Sequence, residues 1–111
     1  MTSYEVMYLL APNLEEEAYP AFQEKVTDLI SAEGGQVEKV DTWGKRRLAY
    51  EIQKFREAFY TVVYFQGSAE LVNELDRVLK INETVIRHLI VRHEEKVTVK
   101  PGRKVAAQNA Q

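Results

Sequence analysis

Apolar residues occupy both phases of the run Tyr4-Glu5-Val6-Met7-Tyr8-Leu9-Leu10, with Val6, Tyr8 and Leu10 in one phase and Met7 and Leu9 in the other. Such a pattern predicts a central strand, covered on both faces and stopped by Pro12-Asn13. The period then lengthens. Phe22, Val26, Leu29 and Ile30 fall at i, i+4, i+7 and i+8, the stripe of an amphipathic helix. Gly34-Gly35 ends it with left-handed cap geometry. Its start has two solutions. Asn13 caps a helix whose first turn holds Glu15, Glu16 and Glu17 and which kinks at Pro20, or a short turn ends there and the main helix begins with Pro20 near N1.

An extended pattern returns over Gln36–Trp43, breaks at Gly44, and resumes with Leu48, Tyr50 and Ile52 on one face. One long strand, bent at a glycine bulge, accounts for it. The polar turn Gln53-Lys54-Phe55-Arg56-Glu57 leads to Ala58–Phe65, so the pair predicts an antiparallel hairpin with a mobile tip. Ser68 N-caps a second helix striped by Leu71, Val72, Leu75, Val78 and Leu79, with an Asp76–Lys80 pair on its wet side and Asn82-Glu83 at its close. Thr84–Arg92 is a fourth strand. Residues 1–93 thus read as one domain, and 94–111 as a flexible basic tail.

The order β-α-β-β-α-β predicts an α+β fold of ferredoxin-like type, with both helices on one face of a four-stranded antiparallel sheet. The other face is then open. Phe59, Thr61, Val63 and Phe65 are placed toward the helices, and Tyr60, Val62 and Tyr64 on the open face. An exposed apolar face of that size asks for a partner.

Composition narrows the chemistry. The 111 residues contain no cysteine, which excludes disulfides, thiol catalysis and cysteine-ligated zinc. No apolar run suits a membrane span, no signal-peptide pattern opens the chain, and a cytoplasmic protein is expected. The net charge of −2 is segregated. Residues 1–40 hold two cations against eight acids, and residues 41–111 hold 13 against nine. The second region therefore offers a basic surface on a mildly acidic protein.

No nucleotide loop or nucleophile elbow is present, and the glycine-flanked acyl-phosphate loop known in this fold is missing. His88 and His93 are five apart on a strand and its exit, which points them to opposite faces and denies them a shared metal. His88 is expected to pack or hydrogen-bond within the sheet. The cations Lys45, Arg46, Arg47, Lys54, Arg56, Lys80, Arg87 and Arg92 favour binding, since arginine presents a planar fork to phosphate and aromatic faces stack on bases or proteins. Hairpin cations also protect strand edges. Trp43, beside the glycine break, is expected to anchor the core or its margin.

Four segments resemble one family. They are Tyr4-Glu5-Val6-Met7-Tyr8 with Pro12; Gly34-Gly35-Gln36-Val37; Trp43-Gly44-Lys45-Arg46-Arg47-Leu48-Ala49-Tyr50 with Ile52-Gln53-Lys54; and Leu75–Asn82 with Val85-Ile86-Arg87. Together they are similar to the sixth protein of the bacterial small ribosomal subunit, over roughly residues 4–93. Glu51 departs from a common proline, and Ala58 from a frequent glycine. The resemblance implies a ferredoxin-like fold, no catalysis, no cofactor and no small-molecule substrate. It implies binding to the central domain of 16S ribosomal RNA, and a heterodimer with small-subunit ribosomal protein eighteen during assembly. On it, Trp43, Lys45, Arg46 and Arg47 are assigned to the protein partner. Lys54, Arg56, Lys80, Arg87 and Arg92 are assigned to RNA, and the tail to the partner's surface. The rival expectations are a ligand-sensing or regulatory domain of this fold that homodimerises through its open sheet face, and a small acylphosphatase-like hydrolase.

Overall fold

Alternating patterns at period two close into a single antiparallel sheet, with strands in the order β2-β3-β1-β4. The computed structural model describes residues 2–93, so the predicted tail lies outside the described residues. The elements are β1 (Thr2–Leu10), α1 (Ala18–Ala32), β2 (Gln36–Ile52), β3 (Phe55–Gly67), α2 (Ala69–Ile81) and β4 (Val85–His93). This is the expected ferredoxin-like arrangement. The doubly apolar β1 is central, paired with β3 on one side and β4 on the other.

The helix-side core joins Val6, Tyr8, Leu10, Val63 and Phe65 of the sheet to Phe22, Val26, Ile30, Leu71, Leu75 and Leu79. Thr61 is buried as well, and Phe59 packs against this cluster, so the predicted split of β3 holds. Ala58 and Tyr60 belong to a second, smaller cluster with Leu9, Ala11 and Ile86 on the opposite face.

Helix α1 starts later than an Asn13 cap requires. Glu17 is the N-cap residue and its side chain makes no capping bond, so Pro20 is the third helical residue. There its missing N–H is one that the first turn leaves unpaired anyway, and no kink is needed. Glu15, Glu16 and Glu17 precede the first turn instead of filling it. Tyr19 fixes the entry, since its hydroxyl donates to the Ala11 carbonyl (2.9 Å) and accepts from the Leu14 amide (3.2 Å). At the other end Gly35 N–H donates to Ile30 O and Gly34 N–H to Ser31 O, with Gly34 at φ +86°. That is a Schellman cap.

Helix α2 is capped by Ser68, whose hydroxyl accepts from the Leu71 amide at 3.2 Å. Its Asp76 departs from expectation. The carboxylate turns to His88 Nε2 of β4 at 2.7 Å, where an Asp76–Lys80 pair was expected. The reason is position. Tyr8 pairs with His88 across the sheet, so His88 sits on the helix side, within reach of α2. A carboxylate gains more from a largely buried imidazole than from an exposed lysine.

Candidate protein and nucleic-acid interface

Strand β2 lies at a sheet edge and loses register with β3 at three places. The break between Thr42 and Gly44 inserts one residue, with Gly44 at φ +82°. A bulge with glycine in the left-handed region re-aims the neighbouring side chain. Trp43 accordingly lies over the open face, stacked on Tyr60 with ring centroids 5.9 Å apart and planes 7° from parallel. Arg46 closes the group. Its Nε donates to the Trp43 carbonyl at 3.1 Å, and its guanidinium lies 5.9 Å from the indole centroid. Trp43 is 43% exposed and stacked on Tyr60, so of the two expected places it takes the margin of the core and not its interior. Thr42 pairs with Thr61 on the helix side, so Trp43 follows on the open face at the sheet edge, and the inserted residue returns Arg46, three positions on, to that same face.

The partner-assigned residues therefore divide between faces. Arg46 is opposite Ala58 in register, whereas Lys45 is opposite Phe59 and Arg47 opposite Glu57. Trp43 and Arg46 form one unit. Lys45 and Arg47 are exposed along the alternate face of the same edge.

The third break, between Arg47 and Ile52, sets five steps of β2 against two of β3. The surplus lets the hairpin bow across the open face instead of continuing the ladder. Gln53 and Lys54 form its two-residue turn with φ +50° and +72°, the mirror-image geometry that suits hairpins. Arg87 Nη1 donates to the Tyr50 hydroxyl at 3.0 Å, and Gln53 Nε2 donates to the Ile86 carbonyl at 3.3 Å. The hydrogen bond to Tyr50 raises the already high pKa of Arg87, so this cation is permanent. Beneath lies a concavity of about 290 Å³ lined by Met7, Leu9, Leu48, Ile52, Tyr60 and Leu89, among others. The open face is thus partly roofed, a feature the alternation of residues could not give.

The RNA-assigned cations do not make one patch. Lys54 and Arg56 are at the hairpin tip, Lys80 is in the last turn of α2, and Arg87 is near the start of β4. All four are at the end of the sheet where β1 finishes. Arg92 pairs with Tyr4 at the opposite end, five residues or about 16 Å along β4 from Arg87. Arg56 is also engaged, its Nε 3.2 Å from Glu51 Oε2. His93 Nε2 lies 2.6 Å from Glu5 Oε1, whereas His88 meets Asp76, so the two histidines do serve opposite faces. Among the described residues no cluster of three or more metal-ligating side chains occurs, and no helix is long and apolar enough to cross a membrane.

Sequence reasoning missed Tyr50 and Gln53 as the residues that hold the tip. The only signal for Tyr50 was its phase with Leu48 and Ile52, which marks a face but not a reach across the sheet. The turn expected over Gln53–Glu57 is only Gln53-Lys54, which lacks the Asn-Gly signature of its type, and Phe55, Arg56 and Glu57 already belong to β3.

The family model described as Ribosomal protein S6 matches residues 3–92. The chain belongs to the ribosomal protein S6 family. The chain is 51% identical over 98 residues to small ribosomal subunit protein bS6 of Moorella thermoacetica, covering 88% of this chain and all of that one. The bS6 of Heliobacterium modesticaldum is 50% identical over 95 residues, with 86% and 99% covered. The crystal structure of 30S ribosomal protein S6 from Thermotoga maritima superposes with a TM-score of 0.80 at 35% identity, over 83% of this chain and 87% of that one. Membership makes this chain a structural protein of the bacterial small ribosomal subunit, working on the ribosome in the cytoplasm.

Proposed function

We propose that the chain binds the central domain of 16S ribosomal RNA together with small-subunit ribosomal protein eighteen, as a non-catalytic assembly protein. The observation that carries this reading is that Lys54, Arg56 and Arg87 lie at one end of the sheet, with Lys80 at the same end in the helix layer behind it. Trp43 and Arg46 present a separate aromatic–cation surface on the β2 side. The first group suits phosphate, which arginine grips through a planar fork and lysine as a point charge. The second suits a protein, because half-exposed tryptophan and arginine are typical centres of binding energy. Lys45 and Arg47 line the same edge and extend the protein surface. Arg92 serves RNA as a separate contact. Residues 1–93 supply the folded domain.

Co-sedimentation with small subunits through moderate salt is the first test, and a stable homodimer absent from ribosomes would overturn the reading. The local test is Arg87→Ala. Affinity for the RNA falls across sequences, and the slope of log K against log salt falls by about one. An unchanged slope removes Arg87 from the phosphate contacts.

A further inference from the structure

We infer that Tyr50 is a positioning residue for Arg87, and that closure of the hairpin tip over the sheet prepares the phosphate-binding arginine. Four observations lead there. Tyr50 is 63% exposed, so it is not held in place by burial. Its hydroxyl engages only Nη1 of Arg87, which leaves the edge formed by Nε and Nη2 clear of it. No carboxylate pairs with Arg87 among the described residues, in contrast to Arg56 and Arg77, which face Glu51 and Glu74. The tip is secured a second time where Gln53 reaches the Ile86 carbonyl. Ile86 sits at the register shift between Leu9 and Leu10, where the ladder leaves a backbone group to be satisfied otherwise.

A guanidinium on a free side chain samples many rotamers, and ordering it opposes binding. A neutral phenol oxygen on one Nη fixes the plane without neutralising the charge. The remaining fork then meets two phosphate oxygens in parallel, the geometry arginine uses best. The bond works in both directions. A phosphate that holds Arg87 in this pose also stabilises the closed tip, and Lys54 and Arg56 are carried on that tip. Binding at one cation therefore places the others, a linkage that is reciprocal. Aspartate or glutamate at position 50 would fix the arginine too, but would cancel its charge.

This inference rests on the reading of Arg87 as a phosphate contact, and the experiment separates the two. Affinity of the full chain, assembled with small-subunit protein eighteen, is measured for a central-domain ribosomal RNA fragment over a series of salt concentrations. The proteins are wild type, Tyr50→Phe, Arg87→Ala and the double variant. Phenylalanine keeps the ring over the concavity and removes only the acceptor. The expected result is a three- to tenfold loss for Tyr50→Phe with the salt slope unchanged, and no further loss when it is added to Arg87→Ala. Equal losses in both backgrounds would show that the hydroxyl acts elsewhere and overturn the inference. No loss with Arg87 present would do the same. If Arg87→Ala itself leaves affinity and slope intact, the phosphate reading fails first and the inference falls with it.

Discussion

Trp43 and Tyr60 lie nearly parallel on the open face of the sheet, 7° apart in plane, and one inserted residue at Gly44 brings Arg46, three positions on, to the same face. The stack leaves 43% of the tryptophan in solvent and puts the Arg46 guanidinium beside it. A rigid aromatic pair with a cation at its rim is formed before any partner arrives, so little side-chain entropy remains to be lost on docking.

Replacing Trp43 with alanine tests that surface. The indole is half exposed, so the loss to folding stability is small, about 1 kcal/mol from the stack. A central tryptophan at an interface contributes about 2 kcal/mol or more. The expected outcome is a dissociation constant for small-subunit protein eighteen raised at least tenfold, with the urea midpoint only slightly lowered. A large stability loss with unchanged partner affinity would return Trp43 to a packing role. Because it is the sole tryptophan, its fluorescence reports the same binding directly.

Glu51 invites a second substitution. Its carboxylate lies 3.2 Å from Arg56, and both side chains are largely in solvent, so the pair adds little to stability. Its effect on a polyanion is larger, since a phosphate at Arg56 has to displace the carboxylate and also meets its charge. Glu51→Ala is expected to tighten RNA binding two- to fivefold at low salt, an advantage that fades as salt screens the charge. A titration at two ionic strengths decides it, and equal affinity of variant and wild type at low salt would mean that Arg56 does not face the RNA.

These two cases mark where the sequence was readable and where it was not. The period of the apolar residues placed the element order, the central β1 and the faces of β3, because burial acts on side chains one at a time and leaves a regular trace. Ser68 and Gly34 were legible for the same local reason. What the pattern could not carry was the effect of irregularity. One inserted residue beside Gly44 set Arg46 on the face of Trp43, and the surplus between Arg47 and Ile52 folded the tip toward β4. Contacts such as Tyr50–Arg87 and Asp76–His88 join residues 37 and 12 positions apart. They arise from where strands finish, which no local spacing encodes.

Tyr8 offers the last test, and it concerns the core. Its ring packs edge-on to Phe22 at 5.2 Å, deep between the sheet and α1. Its hydroxyl is the one buried side-chain polar atom without a hydrogen-bond partner among the described residues. Burial pushes its pKa from 10.0 up to about 12, an effect that the Thr61 hydroxyl, facing it across the β1–β3 ladder, softens without reaching hydrogen-bond geometry. An unpaired buried hydroxyl costs about 1 kcal/mol or more, so Tyr8→Phe, which keeps the ring, is expected to stabilise the fold by about 1 kcal/mol at neutral pH. The alkaline limb follows from linkage. Below pH 10 the phenol is protonated in both states and contributes no pH dependence. Between pH 10 and 12 the unfolded chain releases the proton while the folded chain keeps it, so stability falls as pH rises, by up to about 2–3 kcal/mol from this group. Denaturant melts at pH 7, 10 and 11.5 check both parts. Wild type is expected to lose more stability than the variant over the upper interval. A variant less stable than wild type at pH 7 would mean that the hydroxyl has a partner after all, with Thr61 the one to examine.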